Sequence, residues 1–129
     1  MSFLDVDTSS AVEPKVVEAD EEYEIRIVGA TVNNDKNGKP YFLPRFEIVG
    51  EPSAKEFTKF MRLPHDEMND KQRNNCLWQL KCFYEAFGIT SPIGDENDII
   101  GETAYAILGV NSDEEYGDQN YVKKFVVGN

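Results

Sequence analysis

Regular alternation of apolar and polar residues begins with the segment EYEIRIVGATV, residues 22–32. There the side chains of Tyr23, Ile25 and Ile27 are separated by charged ones. A period of two residues is typical of a β-strand with one buried face, so the segment predicts a first strand. The run NNDKNGKP that follows is rich in Asn, Asp and Gly and predicts a hairpin loop.

Two further strands are predicted before the middle of the chain. The segment YFLPRFEIVG, residues 41–50, contains Pro44, which cannot donate a hydrogen bond to a neighbouring strand. We therefore expect a bulge or an unpaired position there, and with it a change in the face that the strand buries. The segment KEFTKFMRL, residues 55–63, follows the turn EPSA and predicts a third strand.

The period changes to that of a helix over NDKQRNNCLWQLKCFYEAFG, residues 69–88. Asn69 and Gln72 have the spacing of a capping box, and Gly88 is the residue expected just past a helix C-terminus. At about 100° per residue one stripe of the helix is apolar, and Trp78 lies nearly opposite it. The stripe consists of Cys76, Leu77, Leu80, Phe83, Tyr84 and Phe87.

Two more alternating segments complete the pattern. ETAYAILGV, residues 102–110, predicts a fourth strand, and NYVKKFVVG, residues 120–128, predicts a fifth beyond an acidic hairpin loop. Three strands, one helix and two strands is the element order of an OB-fold, a five-stranded Greek-key barrel that binds oligonucleotides or oligosaccharides. We therefore predict an all-β fold with one helix, an OB-fold domain over residues 21–129, preceded by an acidic, flexible arm over residues 1–20.

The charge distribution changes the interpretation of the composition. A net charge of −11 argues at first against a nucleic-acid partner. The acidic excess is confined to residues 1–24, at −7, and residues 111–120, at −4. The rest of the chain is neutral, and residues 36–62 hold six basic residues against three acidic ones, a local charge of +3. A basic binding surface is therefore compatible with the acidic composition.

The residue types present exclude several kinds of site. One histidine, His65, and two cysteines are too few for the usual zinc ligands, and Cys76 and Cys82 point to different faces of the predicted helix, too far apart for a disulfide. The acidic loop before the fifth strand lacks the spacing of a calcium loop. No phosphate-binding loop or nucleophile with a neighbouring base is recognisable. We predict no enzyme activity, no metal and no cofactor.

Single-strand binding requires basic groups along the phosphates and flat rings on which bases stack. The second and third strands carry both, since Phe57 and Lys59 share one face of the third strand while Phe60 and Arg62 share the other. The alternative, that the aromatic residues fill the core and the basic ones are ordinary solvated side chains, stays open for each residue. The candidates on these strands are Lys39, Tyr41, Arg45, Phe57, Lys59 and Arg62.

The fifth strand adds a second group of candidates. The β-branched valines on one of its faces suit a core. This leaves Tyr121, Lys123 and Phe125 on the other face to meet a ligand. A terminal strand that simply ends in solvent is the alternative.

Trp78 lies away from the core stripe of the helix, together with Cys82. Two interpretations are open. The side chain packs beneath the leader or the connector that follows the helix, or it marks a surface for self-association.

Several segments also have counterparts in a known family. They are EYEIRIVGATV, NNDKNGKPYF, FYEAFGI, IIGETAYAILGV and EEYGDQNYVKKF, between Ala19 and Val127. Through them the chain resembles a family of phage-encoded OB-fold single-stranded DNA-binding proteins. The resemblance implies sequence-independent binding of single strands in replication or recombination, and it places Asn120, Lys123 and Phe125 in the family's terminal strand.

The leading hypothesis is therefore a phage or viral protein that binds single-stranded DNA by base stacking and phosphate contacts. The alternative is an acidic OB-type interaction module, a DNA mimic or replisome adaptor, although such a protein has no use for clustered basic residues. Further expected partners are a second copy through the helix face around Trp78 and replication or recombination proteins through the acidic arm. Without a long apolar run or a secretory signal, we expect no membrane association and a location in the host cytoplasm.

Overall fold

The structure consists of one β-sheet and one α-helix. The computed structural model describes residues 5–90 and 92–127, so residues 1–4 of the predicted arm, Ser91 and residues 128–129 lie outside the description. The elements in chain order are β1 (Glu22–Asn34), β2 (Pro40–Ile48), β3 (Phe57–Thr58), β4 (Met61–Arg62), α1 (Asp70–Phe87), a short 3-10 helix (Glu96–Ile99), β5 (Thr103–Asp113) and β6 (Gly117–Val126).

The strands form one antiparallel sheet, which confirms the predicted all-β class with one helix. β1 lies at the centre, between β2 and β5. β3 and β4 pair with β2, and β6 pairs with β5. Within residues 5–90 and 92–127 no pairing joins β3 or β4 to β6, so the sheet is open between these two edges.

The predicted third strand is interrupted at Lys59 and Phe60, between β3 and β4. Both short strands pair with β2 in one continuous register, and the break lies opposite the middle of β2. Pro44 is located there. Its carbonyl accepts a hydrogen bond from the N–H of Lys59 at 3.2 Å, but its nitrogen has no hydrogen to return one. The proline therefore leaves the unpaired position that its chemistry predicts.

The buried face of β2 does not change at Pro44, contrary to the expectation from the sequence. Phe42, Pro44, Phe46 and Ile48 are all buried, and the residues between them are more exposed. An unpaired position without an inserted residue preserves the two-residue period of a strand. The whole of β2 therefore keeps one face in the core.

α1 begins and ends where the sequence predicts. Asn69 and Gln72 form the capping box, each side chain accepting a hydrogen bond from the other residue's backbone N–H, and Gly88 ends the helix with a φ of 69°. Leu77 of the predicted apolar stripe is an exception, because it is 49% exposed.

Among the described residues, no helix has the length and apolar character needed to span a membrane.

Aromatic rings connect α1 to both halves of the sheet. The ring of Phe83 lies 5.4 Å from that of Phe42 on β2 and 6.0 Å from that of Phe125 on β6. Phe87 is stacked with Phe46, also on β2, at 5.8 Å. Each buried ring removes a large apolar surface from water, so this cluster stabilises the packing of α1 on the sheet.

β6 contains a β-bulge at Lys123. The pairing with β5 includes Val122 and Lys124 but skips the residue between them. An extra residue in one strand changes which side chains face the core beyond it. Phe125 therefore turns inward, together with Val122, although the two are three positions apart.

Part of the predicted arm lies against the sheet. Lys15 forms a parallel bridge with Ala54, just before β3. Val17 is held by Asn120 of β6, whose side chain accepts a hydrogen bond from the Val17 N–H at 2.9 Å and donates to the carbonyls of Val17 and Gly109 at 3.1 and 3.0 Å. The segment therefore bridges the two open edges of the sheet at one end.

Replacing Asn120 with alanine is expected to lower the free energy of unfolding by about 1–3 kcal/mol, because buried backbone groups lose their partners. Urea unfolding followed by circular dichroism measures the change. Asn111→Ala, an exposed asparagine on the same hairpin, is the matched control and should change stability by less than about 0.5 kcal/mol. Equal effects of the two substitutions would contradict the role assigned to Asn120.

Candidate nucleic-acid interface

A pair of stacked aromatic rings lies on the outer face of β2 and the interrupted third strand. The ring centroids of Tyr41 and Phe60 are 5.2 Å apart and their planes differ by 30°. Phe60 is 49% exposed, and Tyr41 is half-buried. An exposed ring next to a second ring offers a surface on which a flat ligand such as a nucleobase can stack.

The register of the sheet brings these groups together. Tyr41 lies directly opposite Arg62 in the pairing of β2 with β4. Phe60 and Arg62 share the outward face of their strand, since Met61 between them is buried. Phe60 lies in the interruption between β3 and β4, just before β4 begins, and its ring lies beside that of Tyr41.

Arg62 extends over the Phe60 ring of this pair. Its guanidinium carbon lies 5.5 Å from the centroid of the Phe60 ring, which is a cation–π contact. One of its guanidinium nitrogens lies 3.9 Å from a carboxylate oxygen of Asp35. Asp35 accepts hydrogen bonds from the backbone N–H groups of Lys39 and Asn37 in the β1–β2 loop. These bonds hold the pKa of Asp35 below its ordinary value, and the bond from Lys39 has the larger effect. The loop therefore supplies a fixed, charged partner for Arg62.

Two other basic residues of this surface are also paired with acids. Arg45 lies 3.2 Å from Glu56, and both side chains are about half exposed. Lys39 is hydrogen-bonded to Glu67, which is largely exposed. Because exposed ion pairs contribute at most about 1 kcal/mol, a phosphate can replace the carboxylate at small cost. We call the whole surface the strand face, formed by Lys39, Tyr41, Arg45, Phe60 and Arg62.

A groove of about 670 Å³ continues from the strand face towards α1. Lys39, Phe60 and Arg62 line it from the sheet, and amide side chains, including Asn75 and Gln79, line it from the helix. We call it the Phe60 groove. A ring, two basic groups and several amides are the kinds of group that bind single-stranded nucleic acids.

Two predicted binding residues of the third strand point inward. Phe57 is 4% exposed and packs against Phe46 with ring centroids 5.4 Å apart, so it belongs to the core and not to the strand face. Lys59 is half-buried on the same inward side, with its ammonium 6.0 Å from the centroid of the Phe125 ring. Burial lowers the pKa of Lys59, because an apolar environment disfavours the charged form.

The prediction that Phe125 meets a ligand is also corrected by its burial. The residue is 9% exposed, and its ring lies 6.0 Å from Phe83 and 5.8 Å from Phe87. Strict alternation would place Phe125 on the same face as Tyr121. The bulge at Lys123 breaks this alternation and turns the ring into the core.

The other two candidates of β6 lie outside the core. Lys123 is exposed, and its ammonium is hydrogen-bonded to Asp20, which raises the pKa of the lysine. Tyr121 covers Gly109 of β5 so closely that a Cβ at that position would lie 2.4 Å from the tyrosine ring. Both residues belong to the β5–β6 hairpin, and the structure does not place them on the strand face.

The residue that the sequence pattern failed to select is Phe60. Two features of the sequence could have indicated it. Phe60 lies two residues before Arg62 and so on the same side of the strand, and the neighbouring strand carries Tyr41 opposite Arg62. The acidic partners Glu56 and Glu67 were not predicted either. Ion pairs between residues far apart in the chain leave no local pattern.

The acidic β5–β6 loop uses its carboxylates within the turn. Asp113 accepts hydrogen bonds from the N–H groups of Glu115 and Tyr116 at 2.8 and 2.9 Å, and Asp118 accepts one from the Ser112 hydroxyl at 2.9 Å. In the part of the chain that the structure describes, no group of three or more His, Cys, Asp or Glu side chains is placed to hold a metal ion.

Comparison with known proteins adds no functional assignment. No protein-family model matches the chain, and no curated protein is significantly similar to it. The function must therefore be argued from the geometry of the strand face and its surroundings.

The pairing of Lys39 with Glu67 predicts that the stability of the fold depends on pH. The hydrogen bond from Lys39 lowers the pKa of Glu67. A carboxyl group with a lowered folded-state pKa stabilises the fold above its unfolded pKa, and this contribution is lost as the pH falls through the folded pKa. Lys39→Met should therefore raise the pKa of Glu67 towards its ordinary value of about 4.3, measured by NMR titration of the side chain.

Lys81→Met is the control, because Lys81 pairs with Glu85 on α1 instead. It should leave the titration of Glu67 unchanged. The same titration midpoint for Glu67 in the wild type and in Lys39→Met would contradict the pairing.

Proposed function

We propose that this protein binds single-stranded DNA without sequence preference, as a phage or viral protein of DNA replication or recombination. The observation that supports this most directly is the stack of Tyr41 with the exposed Phe60 ring, over which Arg62 lies. Unpaired bases have free faces that stack on such rings, whereas the bases of a duplex are already stacked on one another. The neighbouring basic groups are suited to the phosphates.

The proposal includes the fold, which we infer to be a partly open OB-type barrel. With β3 and β4 taken as one strand, the sheet has five strands and the helix follows the third, as in that fold. The approach of Lys59 to Phe125 supports a barrel seam between the edges β3 and β6. In OB-folds the second and third strands form the binding face, and the strand face lies on these two strands.

The alternative function, an acidic interaction module, has support from the net charge and from the acids that accompany each basic residue of the strand face. A protein that binds a basic partner gains nothing from outward guanidinium groups, because like charges repel. The exposed Phe60 ring and the outward positions of Arg45 and Arg62 therefore favour nucleic acid.

Phe60→Ala and Tyr41→Ala are each expected to weaken binding of a labelled oligothymidine of about 30 nucleotides by roughly 5- to 150-fold, since stacking contributes about 1–3 kcal/mol per base. Fluorescence anisotropy measures the affinity. Tyr105→Ala is the matched control, because Tyr105 is also 49% exposed but lies on β5. A loss as large in Tyr105→Ala as in Phe60→Ala would contradict the assignment of the site.

Duplex DNA of equal length and a second salt concentration test the function itself. We expect binding to the single strand that weakens as salt rises, and little binding to the duplex. No binding at low salt would reject the proposal and favour the acidic interaction module. Equal affinity for the duplex would reject the stacking mechanism.

A further inference from the structure

The open seam of the sheet leads into a second groove, of about 390 Å³. Val122 and Phe125 of β6 line it, as do Trp78 and Cys82 of α1. Three lysines complete the lining. We call this the seam groove, and its lysines are Lys59, Lys123 and Lys124.

The seam groove is basic, and fewer of its basic residues are paired with acids than on the strand face. None of its described lining residues is acidic. Lys123 is paired with Asp20 of the segment before β1, but among the described residues neither Lys59 nor Lys124 has a carboxylate oxygen within 4.0 Å. A groove lined by positive charge concentrates anions from solution.

Trp78 gives the groove a stacking surface. It is the only tryptophan of the chain and is 61% exposed, so its ring is not used by the core. The ammonium of Lys81 lies 5.7 Å from the ring centroid. This position does not agree with the interpretation that Trp78 packs beneath the leader. A large exposed ring among lysines matches the combination that binds bases and phosphates together.

The position of Lys59 favours an anion in particular. Its side chain is half-buried, and burial lowers its pKa. A bound phosphate would offset this effect, because an opposite charge nearby stabilises the ammonium form. An exposed lysine, already solvated by water, has less to gain from the same contact.

The two grooves are neighbours on α1. Gln79 lines both of them. Asn75, one turn earlier on α1, lines the Phe60 groove, and Cys82, one turn later, lines the seam groove. A strand stacked on the strand face can therefore reach the seam groove past Gln79, a polar side chain common to both.

We propose that the seam groove binds a second stretch of the same single strand, with phosphates at Lys59, Lys123 and Lys124 and a base stacked on Trp78. This proposal rests on the proposed function and extends its site from the sheet to the helix. A phosphate that reaches Lys123 replaces Asp20 as its partner. The strand thus follows a bent path around one side of the molecule.

Trp78 allows the groove to be observed directly, since no other tryptophan contributes to the fluorescence. Oligothymidines of about 5 and about 15 nucleotides, lengths within the range that OB-folds cover, are titrated into the wild-type protein. We expect both to bind, but only the longer one to quench Trp78 and to slow alkylation of Cys82 by iodoacetamide. Cys76 should contribute little to the alkylation, because it is buried and its pKa is raised by burial.

Variants separate the seam groove from the strand face. The double substitution Lys59→Met and Lys124→Gln should weaken binding of the longer oligonucleotide by at least roughly 10-fold, through the loss of two charge-assisted contacts, and leave the shorter one unaffected. Lys71→Gln removes a charge from an exposed position of α1 outside both grooves and should change neither affinity. Phe60→Ala should weaken both.

The outcomes distinguish this proposal from the proposed function. If Phe60→Ala weakens binding while Trp78 fluorescence and the affinity of the double variant stay unchanged, the seam groove is rejected and single-strand binding stands. If the wild-type protein binds neither oligonucleotide, both proposals fail. Equal quenching of Trp78 by poly-glutamate would assign the groove to an acidic protein segment, and a concentration-dependent shift of its emission without DNA would assign it to self-association. Either result overturns the proposal.

Discussion

The contact of phenylalanine rings between α1 and the sheet determines which side chains remain for a ligand. Phe83 touches Phe42 on one half of the sheet and Phe125 on the other. Because side chains alternate along a strand, a core position for Phe42 places Tyr41 on the outside, and the partner strand presents Phe60 there by the same rule. The strand face, which we propose as the binding surface, is in this sense the complement of the core.

The same contact explains why the sheet can remain open. β3 and β4 are only two residues long, too short for an extended ladder with β6. The rings on α1 fill the space between the edges instead, and the clamp of Asn120 on Val17 connects them at one end. Stability comes from apolar contact where a closed barrel would use hydrogen bonds, and the seam stays accessible from solvent.

Local patterns predicted the elements because the physics behind them is local. The caps at Asn69 and Gly88 and the missing donor of Pro44 depend only on a few neighbouring residues. The inward turn of Phe125 could not be predicted, since a bulge exists only in relation to the paired strand. The pairing of Lys39 with Glu67 joins residues 28 positions apart, and so it too depends on the folded chain.

The carboxylates beside the basic residues act as built-in counterions. If the protein binds single-stranded DNA as we propose, a phosphate that replaces Glu56 at Arg45 frees a carboxylate, which attracts a cation from solution and cancels part of the cation release from the nucleic acid. In the same proposal, a phosphate at Lys124, which has no such partner among the described residues, gives the full release. Under the proposed function, a plot of affinity against salt would thus count fewer phosphates than the protein contacts, and the length of strand bound would have to be obtained from stoichiometry.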